Sequence, residues 1–376
     1  MQCLVAAIRP LEVKELAEVL AFNFDAEGIP KLNSNWRWED QEGAIMLACS
    51  SLVTIVKDGD SGIVQFSHFS VKEFLTADRL AEPMRDVSRY RIELEGAHTI
   101  LAQACIGVLL RLDDHVDRDN IKAFPLALYA ALYWPSHAKF GSVSARIKDG
   151  MECLFDEDKP HFATWLWIYN EVDVSHMSTM HPVKPRAVPL YHAARYGFRD
   201  LAAHLIARHP EHVNARAYFE ATAIHAATEG GNTDILSLLL EHDADVDSRD
   251  VLNATPLHWA AVRGIIGVGK CLLDHGAGID ARDEGGTPLF NSVREGHVEF
   301  AQILLERGAA IGYRDDCGRT SLHWAVKEGK IEVARLLLEH GADVNAHDNS
   351  GQTPSQYTTQ QEFIDLLSVH GSESET

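Results

Sequence analysis

Basic residues are in short supply: 34 Lys and Arg stand against 55 Asp and Glu, a formal charge of −21 over 376 residues. Acidic side chains are in excess both before and after residue 188. Neither half therefore carries the positive footprint that a phosphate backbone demands, and nucleic acid is disfavoured as a partner. Cysteine is scarce as well. Cys3, Cys49, Cys105, Cys153, Cys271 and Cys317 lie far apart, with no zinc-ligand or C-x-x-C spacing. They read as free thiols in a reducing compartment. No apolar run reaches membrane-spanning length, the longest being about Thr99 to Leu110. The run Cys3 to Ile8 has neither a basic leader nor a cleavage site, so it is not read as a signal peptide. A cytoplasmic, soluble protein that engages no membrane is expected. Hydrophobic residues at 46% and charged residues at 24% complete an ordinary globular composition.

What is present in quantity is repetition. Thr222-Ala-Ile-His225, Thr255-Pro-Leu-His258, Thr287-Pro-Leu-Phe290, Thr320-Ser-Leu-His323 and Thr353-Pro-Ser-Gln356 recur about every 33 residues, after a degenerate first copy, Val188-Pro-Leu-Tyr191. Thr suits a helix N-cap and Pro the first helical position. A short first helix is expected to end near Gly197, Gly231, Gly264, Gly296 and Gly329, and a second, apolar helix to end before a left-handed Gly276, Gly308 or Gly341. The period and the tetrapeptide are similar to ankyrin repeats, which implies a stacked protein-binding solenoid over 188–371, the last copy being a shortened cap.

Upstream, Leu16, Val19 and Leu20 mark one amphipathic helix, and Ala44, Ile45, Ala48 and Leu52 another. Val53 to Lys57 and Ile63 to Phe66 read as strands of a hairpin, and Ser70 with Glu73 as a capping box. Residues 1–82 thus suggest a small winged-helix-like α+β domain. Four helices are expected in a domain over 97–171, with Leu101, Ala104, Cys105, Val108 and Leu112 on the first. Pro125 opens the second; Ile147, Met151, Leu154 and Phe155 line the third, and Phe162, Trp165, Leu166 and Tyr169 the fourth. A link containing His181-Pro and Lys184-Pro follows. The fold class expected is mainly α.

Phe66-Ser-His-Phe-Ser-Val-Lys-Glu-Phe-Leu75 resembles the winged-helix segment of NACHT-type signalling NTPases, especially fungal members with C-terminal ankyrin repeats. Arg9 to Leu16 and Trp36-Arg-Trp-Glu-Asp40 resemble the same pattern. The resemblance implies a partner-sensing or scaffold role and, for His68, contact with ADP phosphate. The NTPase core itself is missing from these 376 residues. His68 is therefore expected to be a half-buried packing residue unless a core is supplied in a longer parent chain or in trans.

Other chemical motifs fail on inspection. Gly264 to Lys270 approximates a P-loop, but Cys271 stands where a magnesium-binding hydroxyl belongs and no strand is expected before it. Gly59-Asp-Ser-Gly62 lies in a turn with no base to activate the serine. Asp113 to Asp119 lacks the glycine and terminal Glu of a calcium loop. Two histidine rows, His225, His258 and His323, and His242, His275 and His340, are a whole repeat apart within each row, too far to share a metal. No catalytic residue, metal or cofactor is expected, and the chain is read as non-enzymatic. A protein partner is expected on hairpin tips and first-helix faces, at Tyr218, Phe219, Leu252, Arg263, Glu284, Arg294, Asp316, Arg319, Lys327 and Asn349, positions read as free of stacking duty. Gly267 and Gly269 mark the third repeat as the weak link, with Asp243 adding a smaller strain just upstream.

Overall fold

The computed structural model describes residues 1–24, 29–33, 40–49, 52–58, 61–77, 91–117, 119–170 and 188–373, in two units, Met1–Pro189 and Leu190–Thr376. The Trp36 to Glu39 string, the turn residues Gly59 and Asp60, and the link at 171–187 fall outside the described residues. The expected boundary between 82 and 97 falls largely outside them too, so 1–82 and 97–171 remain a proposed subdivision.

In the first unit, α1 (Gln2–Ala6) is followed by β1 (Leu11–Glu12) and α2 (Val13–Leu20). Next come β2 (Phe22–Asn23), β3 (Lys31–Leu32) and α3 (Gln41–Cys49). The expected hairpin, β4 (Val53–Asp58) and β5 (Ser61–Phe66), is antiparallel, and α4 (Phe69–Thr76) follows. The hairpin gains a third strand that the sequence did not announce: β1 pairs with β5, Leu11 opposite Val64. Leu52, expected on the α3 face, lies beyond that helix and is 41% exposed. The cap of α4 is His68 rather than Ser70. Its Nδ1 accepts from the Ser70 N–H at 3.3 Å, so no Ser70–Glu73 box forms.

The remaining helices are α5 (Leu94–Leu109), α6 (Ala127–Ala138), α7 (Val143–Arg146), α8 (Lys148–Leu154) and α9 (His161–Asn170). Trp134, Phe155, Phe162 and Trp165 meet in one buried aromatic cluster, Trp134 and Trp165 edge to face at 5.4 Å. α1 packs on α5, and so does β2: a Cβ at Gly107 would come within 2.6 Å of the Phe22 ring. Buried Glu18 of α2 accepts from the Leu126 N–H at 2.8 Å. Arg9 is ion-paired with buried Glu15 and lies over the Tyr129 ring at 5.0 Å.

The second unit is the expected solenoid. First helices run Pro189–Tyr196, Ala223–Gly230, Pro256–Arg263, Pro288–Glu295 and Ser321–Lys327, with a 3-10 turn, Pro354–Tyr357, in the last copy. Second helices are Arg199–Arg208, Thr233–Glu241, Ile266–Asp274, Val298–Glu306, Ile331–Glu339 and Gln361–Glu373. The histidine row has a structural explanation. Thr222 and His225 form a capping box in which His225 Nδ1 accepts the Thr222 N–H at 3.2 Å, while Nε2 donates to the Ala254 carbonyl of the next copy at 3.1 Å. His258 and His323 repeat both bonds, reaching Gly286 and Gln352. Each imidazole thus closes its own helix and grips its neighbour.

The expected left-handed residues are present: φ is +83° at Gly276, +90° at Gly308, +84° at Gly341 and +61° at Asp243. The two glycines of the third repeat differ in role. A Cβ at Gly267 would meet only Thr233 Cγ2, at 3.4 Å, whereas one at Gly269 would lie 2.5 Å from the buried ring of Phe300. Gly269 therefore admits the next repeat's phenyl ring rather than merely weakening a helix. Gly267→Ala should stabilise by about 1 kcal/mol, and Gly269→Ala should destabilise by roughly 1–3 kcal/mol. Asp243→Gly should stabilise by about 0.5–1 kcal/mol. In the unsubstituted chain, amide exchange should be faster at 265–275 than at 331–340; urea unfolding and exchange together check all four outcomes.

Candidate functional site

The hairpin tips are built on aspartate. Asp250 Oδ1 accepts from the Leu252 and Ala254 N–H groups at 2.8 and 2.9 Å. Asp283, Asp315 and Asp348 hold their own loops in the same way. The other carboxylate oxygen is engaged by the first helix that follows. Trp259 Nε1 donates to Asp250 Oδ2 and Trp324 Nε1 to Asp315 Oδ2, both at 2.9 Å. Asn291 and Tyr357 fill that role for Asp283 and Asp348. Adjacent tips are joined by backbone bonds, Val251 N–H to Phe219 O at 2.8 Å and Asn349 N–H to Cys317 O at 2.9 Å. The tips form a preorganised edge, which limits the ordering cost of binding.

The ten candidate residues divide on this edge. Leu252, Arg263, Glu284 and Arg294 are brought together on one cleft of about 520 Å³ between the third and fourth first helices. Phe219 is 78% exposed, at φ +52°, beside exposed Val251. Asp316 and Lys327 are exposed as well, the ammonium of Lys327 lying 4.4 Å from the Trp324 ring centre. The expectation that all ten are free of structural duty fails. Arg319 is bonded to Asp315 Oδ2 at 2.9 Å and lies 4.4 Å from the Trp324 ring centre. Asn349 Nδ2 donates to Asp316 O, and the half-buried Tyr218 ring packs edge-on against Tyr191. Arg263 is paired with Glu229 at 3.0 Å, and Arg294 with Glu295 at 3.2 Å. Contacts between copies, which no single copy displays, engage Tyr218, Arg263 and Asn349, whereas Arg294 and Arg319 are engaged by residues of their own copy.

Sequence reasoning passed over Trp259, Asn291 and the two aspartates of the same cleft. The nine-residue spacing of Asp250 to Trp259, repeated in Asp315 to Trp324, was the available signal. Burial holds the His258 imidazole below its ordinary pKa, with Asp283 opposing, so it faces the cleft as a neutral group.

The P-loop-like string lies in the helix Ile266–Asp274 after left-handed Gly264. His68 is exposed and its Nδ1 is committed to the Ser70 N–H and hydroxyl, correcting the half-buried expectation. His275 and His340 bond the carbonyls of Cys271 and Leu336 four residues back. Asp113, Asp114 and His115 bring three potential ligand atoms together, all on exposed side chains. Among the described residues no helix is long and apolar enough to cross a membrane.

Comparison with known proteins matches residues 190–283 and 277–348 to the family described as ankyrin repeats in three copies. Residues 1–84 match the winged helix domain of GPI inositol-deacylase. The azaphilone pigments biosynthesis cluster protein L of Monascus ruber is 32% identical over 250 residues, 61% of this chain and 51% of that protein. The chain thus spans about half the length of this curated relative. The crystal structure of an ankyrin repeat domain from Acinetobacter baumannii AYE matches at 29% identity and a TM-score of 0.46, covering 49% of this chain and 97% of that one. The chain therefore combines ankyrin repeats with a winged helix domain of the GPI inositol-deacylase kind.

Proposed function

We propose that this chain is a non-enzymatic protein-binding module, the partner-sensing or scaffold end of a NACHT–ankyrin type signalling protein, acting in the cytoplasm. The observation that carries it is the preorganised edge of aspartate-built tips, in which exposed Phe219, Val251 and Leu252 adjoin a cleft bordered by Arg263, Glu284 and Arg294. Rigid tips with exposed apolar groups ringed by charge have the composition of a recognition surface. The winged-helix match at 1–84 supports the NACHT-type context, since the segment Phe66 to Leu75 that resembles such proteins lies inside it. The family's name mentions a deacylase, but what matches is its winged helix domain alone.

Replacing Leu252, Arg263, Glu284 and Arg294 together by alanine should weaken a protein partner by 2 kcal/mol or more, about thirtyfold. Unchanged affinity, measured by calorimetry on the purified full chain, would sink the surface assignment.

A further inference from the structure

Two copies of one Asp–Trp motif differ in the cations on the indole: Arg319 and Lys327 both lie 4.4 Å from the Trp324 ring centre, and Ala254 and Val262 stand at the matching positions beside Trp259. At Asp315, the Oδ2 atom accepts from Trp324 Nε1 and also from Arg319 Nε, each at 2.9 Å, and the guanidinium lies over the indole. The same Asp–Trp bond, at the same length, joins Asp250 and Trp259 two repeats earlier. Counting four residues on from each aspartate leads to Arg319 in one copy and to Ala254 in the other. Asp250, Ala254 and Trp259 all border the 520 Å³ cleft.

The cleft's composition suits the missing group. Four carboxylates, Glu229, Asp250, Asp283 and Glu284, face two guanidiniums, Arg263 and Arg294. Glu229 is satisfied by Arg195 and Arg263 at 3.1 and 3.0 Å. Asp250 accepts from the Leu252 and Ala254 N–H groups and from the indole, and no guanidinium bonds it among the described residues. On the other wall, Asn291 is 2% exposed; its Nδ2 donates to Asp283 Oδ2, and its Oδ1 has no hydrogen-bond partner among the described residues. A buried acceptor left empty calls for a donor, and a cation is the strongest one. A planar guanidinium can stack on an indole while its edge donates sideways, which an ammonium does less well.

We propose that this cleft takes an arginine side chain from a partner polypeptide, seated on Trp259 and Asp250 as Arg319 is seated on Trp324 and Asp315, with Asn291 Oδ1 as a further acceptor. The inference rests on the protein-binding reading above and names the chemistry of the partner.

The test uses the full chain labelled with fluorotryptophan and a blocked peptide, Gly-Ser-Arg-Ser-Gly, alongside versions with citrulline or leucine in place of arginine. Fluorine NMR should show the Trp259 resonance moving saturably with the arginine peptide and binding about tenfold weaker with citrulline. Ala254→Arg should fill the cleft from within and abolish the response, the unchanged Trp324 resonance serving as the fold control. Arg319→Ala combined with Lys327→Val, which matches Val262, should open a second site, so that Trp324 responds as well. No saturable shift at Trp259, equal binding of the citrulline peptide, or a response that survives Ala254→Arg would each overturn the proposal. A leucine peptide that moves Trp259 more tightly than the arginine one overturns the arginine assignment and leaves the surface reading standing.

Discussion

Acidification from pH 6.5 towards 4 should unfold the repeat unit, and substitution of three histidines by glutamine should blunt that sensitivity. Burial, offset in part by the Ala254 carbonyl, holds the His225 pKa down at about 4 against an ordinary 6.5. His192, in the first repeat, is pushed down to about 3, again chiefly by burial. Burial moves His258 and His323 in the same direction. In the unfolded chain these rings take up protons near pH 6.5, whereas in the folded chain burial makes protonation harder at all four, down to about pH 4 at His225 and about pH 3 at His192. Protons therefore bind preferentially to the unfolded state, and stability falls as the pH drops through that window. Each such histidine removes about 1.4 kcal/mol per pH unit, so His225 alone amounts to roughly 3 kcal/mol at pH 4.

The capping geometry explains why the folded rings resist. Nδ1 of His225 accepts a backbone N–H, so a proton there would set donor against donor. Glutamine is a suitable replacement because the last repeat already uses it: Gln356 Oε1 accepts from the Thr353 N–H at 2.9 Å in the same box. The variant carrying Gln at 225, 258 and 323 should keep most of its stability between pH 7 and 5, as followed by urea midpoints. An unchanged pH slope in that variant would contradict the structural role of the histidines.

The second large effect is expected in the other unit. Trp165 is completely buried, donates from Nε1 to the Ala131 carbonyl at 3.0 Å, and touches Trp134, Phe155 and Phe162. Trp165→Ala removes that packing and leaves a buried carbonyl without its donor. A loss of about 3–5 kcal/mol is expected. Trp165→Phe keeps most of the volume and should cost less. Hydrogen exchange should localise the damage to α5, α6, α8 and α9. A loss below about 1 kcal/mol for the alanine variant would mean that the cluster is not the keystone of these helices.

The repeat array was legible because five copies carry their own Thr cap and the turn and apolar helix recur, so that local chemistry is written out again and again. Asp243 at a left-handed position and the shortened hairpin at Asp283 could be read by comparing one copy with the next. In the hairpin, Asp283 N–H bonds Gly286 O, where Asp250 N–H bonds Ala254 O, one residue further on. What stayed hidden depends on distance between copies or elements. β1 has two residues, too few to show alternation, and exists because β5 offers an edge. Gly269 resembles a helix breaker until Phe300 of the next repeat fills its place. Arg319 resembles a surface anchor until Asp315 and Trp324 close around it. His68 could be singled out from its neighbours in sequence, but its capping role follows from where α4 starts.

Protein partners are expected on the edge formed by the tips and first helices. Photo-cross-linking residues test it most directly when placed at Leu252 and Glu284 on the tips and, for contrast, at the exposed Lys270 and Arg335 on second helices. Illumination of the full chain in cells should join the tip positions to the same partner and leave positions 270 and 335 without adducts. Cross-links to that partner from 270 and 335, with none from 252 and 284, would contradict the account.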